Sequence, residues 1–91
     1  MMTQIPFDPP KVADRLCQIR KENGLTLREF ANRIGLPSMG PVQSWMVGKT
    51  CPSAFSMFHI AMEFNVSADW LLGMTDLRRS VGVFDNAQKN V

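Results

Sequence analysis

The chain has little of what catalysis, metal binding and membrane insertion require. Its 91 residues include one histidine and two cysteines. Cys17 and Cys51 match no zinc or redox spacing, which predicts reduced, unpaired thiols and no metal site. His59 stands alone inside a helical pattern, with no cysteine or acidic cluster nearby to complete a ligand set. There is no acid/base pair, no nucleophile beside a histidine and no phosphate-cradling glycine loop, which argues against an enzyme and against a cofactor. No apolar run approaches the roughly 20 residues of a membrane span. The opening MMTQIPFDPP lacks the basic start and apolar centre of a signal peptide. Together these absences predict a cytoplasmic, non-enzymatic protein without membrane contact. Strand alternation is missing before residue 77, and there are no internal repeats or low-complexity segments.

What is present fits one small domain with a single core. Apolar residues make up 45%, normal for a globular protein, while charged residues are only 20%, with a net charge of +2. That charge is uneven. Residues 1–50 carry seven Lys/Arg against four Asp/Glu, and residues 51–91 carry three against four. The mild basic bias of the first half suits a polyanionic partner without demanding one.

The pattern predicts five short helices. Asp8-Pro9-Pro10 is a helix start, with Asp8 as N-cap and the prolines in the first turn, where N–H groups are orphaned anyway. A helix over 9–22 carries a Val12, Leu16, Ile19 stripe and ends at Asn23-Gly24. Thr26 is an N-cap with Glu29 at the capping-box position. Leu27, Phe30, Ala31 and Ile34 then share one helical face. Gly35 sits where the helix must stop and the chain must take positive φ. Pro41 opens a third helix over about 41–47, with Val42 and Trp45 inward and Gly48 closing it. Ser53 caps a fourth over about 54–64, with Met57, Phe58, Ile60, Ala61 and Phe64 on the buried side and Asn65 as stop. Ser67 caps a fifth over about 68–72, with Trp70 and Leu71 inward and Gly73 at its end. Two short helices joined at Gly35 form a helix-turn-helix candidate, a unit that usually places its second helix in the DNA major groove.

The segments IRKENGLTLREFANRIG (19–35), SWMVGKTCPS (44–53) and FNVSADWLLGMTD (64–76) carry a resemblance. In this order and spacing the chain resembles lambda-repressor-like DNA-binding domains of the phage repressor and Cro type, over roughly residues 11–76. The resemblance implies an all-α, five-helix fold. It divides the chain into an N-terminal arm (1–8), a helix-turn-helix DNA-binding domain (9–76) and a C-terminal tail (77–91) that could be extended and could serve dimerisation. It also implies a sequence-specific transcriptional regulator, a small repressor or Cro-like homodimer on a palindromic operator in double-stranded DNA. Trp45 and Trp70 are then core anchors rather than base-stacking groups.

By the same resemblance, base contacts fall to Met39, Gly40, Gln43, Ser44 and Val47 around the third helix. Gln43 is the best reader, because its amide can pair bidentately with adenine. Phosphate contacts fall to Thr26, Leu27 and Arg28 at the start of the second helix, and to Lys49 and Thr50 just past the third. Each of these positions has an ordinary solvated-surface reading beside the functional one.

Three positions depart from the family pattern. The connector Gly35–Pro41 is one residue longer. The third helix carries no positive charge, so phosphate affinity must come from elsewhere, with Lys11, Arg28, Arg33 and Lys49 available. Met46 replaces the glutamate that usually pairs with the arginine matching Arg20. Arg20 is then expected to be at least partly exposed, turned toward phosphate or toward Glu29 or Asp69, because burial without a partner costs several kcal/mol.

The fourth helix adds Phe55, His59 and Met62 at i, i+4, i+7 on a face away from its core side. An extra apolar stripe marks either a partner or dimer surface or a seat for the tail, through Leu77, Val81, Val83 or Phe84. This stripe motivates a second function class. In that reading the chain is a protein-binding adaptor, antitoxin-like or a repressor antagonist, that keeps the scaffold and uses the fourth helix for its partner.

Overall fold

Helix boundaries follow the local signals closely. In the computed structural model the described residues are 8–79, and among them are five helices and no strand. They are α1 (Pro9–Glu22), α2 (Leu27–Arg33), α3 (Gly40–Met46), α4 (Ala54–Phe64) and α5 (Ala68–Leu71). The expectations for the arm 1–7 and for Val81, Val83 and Phe84 lie outside the described residues.

Four of the five helices start on a side-chain cap that satisfies an orphaned N–H. The carboxylate of Asp8 accepts from the Lys11 N–H at 3.3 Å. At α2 the capping box is complete: the Glu29 N–H donates to the Thr26 hydroxyl oxygen at 3.1 Å, and the Thr26 N–H donates to the Glu29 carboxylate at 2.8 Å. Ser53 and Ser67 accept in the same way from Ser56 (3.2 Å) and Trp70 (2.9 Å). The exception is α3. It begins at Gly40, one residue before the spacing suggests, and Met39 caps it without a side-chain hydrogen bond.

Two glycines shape the helix-turn-helix. Gly35 and Gly48 both take φ +79°, a conformation costing an L-residue about 1–2 kcal/mol. The reversal at Gly35 lets the Leu36 N–H reach the Ala31 carbonyl at 2.9 Å. The one at Gly48 lets Lys49 reach the Ser44 carbonyl at 3.0 Å.

The core lies where the five helices meet. Val12, Leu16 and Ile19 of α1 are buried with Phe30 and Ala31 of α2, and with Val42 and Trp45 of α3. Met57, Ile60 and Ala61 of α4, and Trp70 and Leu71 of α5, close it. Leu36 and Met39 pack against this core from the connector, which is how an extra residue is accommodated without loosening the turn. Both tryptophans are buried, as core anchors should be.

Phe58 corrects the reading of α4. It was expected on the buried side, yet it is 58% exposed. One residue is a step of about 100° around a helix. Once Met57, Ile60 and Ala61 face the core, Phe58 is carried round toward Phe55 and Met62.

The chain beyond α5 is held against α1. Arg15 stacks on the Trp70 ring (4.8 Å) and donates to the carbonyls of Trp70 and Thr75 and to the Asp76 carboxylate. Arg78 lies over the same ring (5.0 Å) and pairs with Glu22. Its carbonyl accepts from the Ser67 N–H at 2.8 Å. The bond from Arg78, with help from the Gln18 amide, holds the Glu22 carboxyl well below its ordinary 4.5, at about 2. The packed body therefore reaches Arg78.

Candidate nucleic-acid interface

The side of α3 facing away from the core is set by Val42 and Trp45. With those two buried, Gln43 and Val47 are exposed and Ser44 is half-buried beside them. Gly40 is exposed at the helix start, and a Cβ there would find only the Ser38 hydroxyl, at 3.9 Å. Met39 is different. It is half-buried against the core, so most of its thioether chain serves packing.

The start of α2 offers less to an outside anion than its sequence suggests. Both the hydroxyl and the N–H of Thr26 are engaged with Glu29, and the Glu29 carboxylate brings negative charge to the helix start. Leu27 is half-buried against the core. The N–H groups of Leu27 and Arg28, orphaned by position, and the exposed Arg28 side chain are what α2 presents outward.

The other basic residues divide. Lys49 is exposed, in the loop directly after α3. Arg33 pairs with Glu63 at 2.7 Å and lies 5.1 Å from the Phe64 ring centre, which turns it toward α4. The Lys11 stem runs against Gly73, where a Cβ would meet its Cδ at 2.8 Å. Arg20 takes neither Glu29 nor Asp69 as a partner. It is half-buried and donates to the Leu25 carbonyl at 2.9 Å, while its Nε is buried without a partner. Met46, at the position where a glutamate was expected, instead lies against Cys17, with the two sulfurs 3.3 Å apart.

Ser44 and Thr50 are brought together: the Thr50 hydroxyl donates to the Ser44 hydroxyl oxygen at 2.7 Å. Nothing in the sequence alone joins these two residues, because the contact depends on the reversal at Gly48.

A second exposed feature lies on α4. Phe55 is 72% and Met62 53% exposed, and Phe58 joins them. The His59 ring lies between Phe55 (4.3 Å) and Phe58 (5.4 Å), edge-on to both. A groove of about 600 Å³ runs between α4 and α5, lined by Pro52, Ala54, Met57, Phe58, Met62 and Leu72 among others. The i, i+3 spacing of Phe55 and Phe58 was the available signal for the wider stripe. Both cysteines are free thiols. Among the described residues no helix is long and apolar enough to cross a membrane.

A protein-family model described as helix-turn-helix matches residues 18–71. That stretch is more than half of the chain, and it runs from the middle of α1 to the end of α5. Neither the curated proteins nor the solved structures gave a match.

Proposed function

This chain belongs to the lambda-repressor-like helix-turn-helix family and is a DNA-binding transcription regulator; from that premise we propose that it is a small phage-type repressor or Cro-like protein. In this reading it binds a palindromic operator as a homodimer and represses by occluding RNA polymerase.

The observation that carries the reading is the exposed flank of α3. It presents Gln43, Ser44 and Val47 together, on a helix whose other side is locked into the core by Val42 and Trp45. Gln43 reads adenine through its amide, and Ser44 meets a neighbouring base. Val47 and the exposed part of Met39 pack on thymine methyl groups, and Gly40 lets the backbone approach closely. Phosphates are met by Lys49, by Arg28 and by the first N–H groups of α2 at Leu27 and Arg28. Thr26 contributes by holding that helix start in place. The half-sites sit about one helical turn, roughly 34 Å, apart. Phe55, His59 and Met62 are the proposed dimer surface, with Val83 and Phe84 from the tail.

Binding is measured by fluorescence anisotropy on duplexes tiled across the gene's own upstream region, at several salt concentrations. The expected result is one preferred duplex, with log affinity falling linearly in log salt by about 0.9 per phosphate contact. Equal and salt-insensitive binding to every duplex would overturn the reading.

A second reading is favoured by one specific observation: α3 lacks any basic residue while α4 exposes Phe55, Phe58 and Met62. In that reading the scaffold serves as a protein-binding adaptor, in the manner of an antitoxin or a repressor antagonist. Phe55→Ser separates the two. It abolishes capture of a protein partner under the adaptor reading, and under the repressor reading it weakens only the dimer.

A further inference from the structure

Thr50 follows α3 directly, the place where a phosphate contact is expected, but its hydroxyl is turned back into the protein. Its Oγ1 donates to Ser44 Oγ at 2.7 Å. The backbone holds the two residues in this relation. The N–H groups of Lys49 (3.0 Å) and Thr50 (3.3 Å) both donate to the Ser44 carbonyl. The left-handed turn at Gly48 brings the chain back to that carbonyl. Ser44 is half-buried on the flank of α3 that also carries the exposed Gln43 and Val47.

A lone serine hydroxyl is ambivalent. It has one hydrogen to donate and two lone pairs to accept with, so it meets base edges of either polarity. A hydroxyl that accepts from a neighbour has one lone pair occupied, and its own hydrogen is polarised toward a further acceptor. The Thr50–Ser44 pair is such a relay, with its free end on the exposed side of the recognition helix.

We propose that Thr50 is a positioning residue that makes Ser44 a hydrogen-bond donor, so that Ser44 selects an acceptor edge in the major groove. Guanine, with O6 and N7 side by side, is the preferred base at that position, and the cytosine amino group is disfavoured. The inference rests on the DNA-binding reading above and adds to it the polarity of one contact.

The test is selection from a library of randomised duplexes. It uses the wild-type chain, Thr50→Val, Thr50→Ser and Ser44→Ala, followed by salt titrations on the winning duplex and on its single-pair variants. Thr50→Val keeps the shape of the side chain and removes only the hydroxyl. At one base pair of each half-site, its preference for guanine over cytosine is expected to fall about tenfold, with an unchanged salt slope. Thr50→Ser keeps that preference, and Ser44→Ala loses it. Thermal unfolding of each variant separates loss of fold from loss of readout. A uniform loss of affinity in Thr50→Val, with the salt slope reduced by about 0.9, would make Thr50 a phosphate contact and overturn the proposal. An unmoved preference would overturn it as well. If the wild-type chain itself selects no sequence, the DNA reading fails first and the polarity proposal goes with it.

Discussion

Helices α2 and α3 are each seven residues long, yet they are held by different means. At α2 the start is stabilised from within, by the reciprocal Thr26–Glu29 box, and its last turn carries Arg33, paired with Glu63 of α4. No side-chain cap serves α3, which has no acidic residue in its first turn and no basic residue in its last. What holds it is burial of Val42 and Trp45, together with the loop that returns to the Ser44 carbonyl. Isolated helices of this length are unstable in water, so both depend on packing, and α3 depends on it almost completely. The lesson concerns the recognition surface. Its uncapped, uncharged helix owes its position to the core behind it, so changes behind α3 should reach DNA binding more strongly than changes at the start of α2.

Trp45→Ala is the severest way to break that contrast. Removing a buried tryptophan costs about 3–5 kcal/mol, much of the total for a domain of this size. Urea unfolding should show this loss, and DNA binding should be lost with it. If Trp45→Ala left affinity intact in a chain that remains folded, α3 would not be held as described.

Thr26→Ala is the corresponding change at α2, with an expected loss of about 1 kcal/mol, read as a lower melting temperature. Because the start of α2 does not carry α3, base preference should be unchanged. A shift in preference as large as that from Trp45→Ala would erase the distinction between the helices.

Gly40→Ala tests the contrast from the opposite side. A Cβ at this position meets only the Ser38 hydroxyl, at 3.9 Å, so alanine at the weak start of α3 should add about 0.4–1 kcal/mol. Higher stability together with lower affinity would identify Gly40 as a point of close backbone approach to DNA. Unchanged affinity would remove it from the contact set.

Acid provides the gentlest comparison, because it acts on a contact that touches neither helix. The Glu22 carboxyl titrates at about 2 in the folded chain, held down by Arg78, against 4.5 ordinarily. A depressed folded value means that stability is fully present above about 4.5 and declines as pH falls toward 2. Glu22→Gln should flatten that part of the stability–pH profile. Trp70 fluorescence should report the change, since Arg78 lies over its ring. An identical acid profile in the variant would mean that the Arg78 contact adds nothing to stability.

Much of the fold was legible because its signals are local. Asp8, Thr26, Ser53 and Ser67 each act within three residues of themselves, and they mark four helix starts. The start of α3 was misplaced by one residue because Met39 gives no such signal. The candidate base readers were legible from the spacing of Val42 and Trp45, which leaves Gln43, Ser44 and Val47 on the other side. Phe58 was misread because an aromatic at helical spacing fits a core and an exposed stripe equally well until the neighbouring helices are in place.

By itself, the sequence determined the number and bounds of the helices, the turn glycines, the core stripes and the helix-turn-helix scaffold. These depend on caps, φ preferences and a 3.6-residue period, all properties of short stretches of chain. Only the tertiary structure decided that Arg15 would bind Thr75 sixty residues away, and that Arg20 would turn to the Leu25 carbonyl. It likewise decided that the hydroxyls of Thr50 and Ser44 would meet. Such contacts depend on where whole helices come to rest against one another, and no local pattern of residues carries that information.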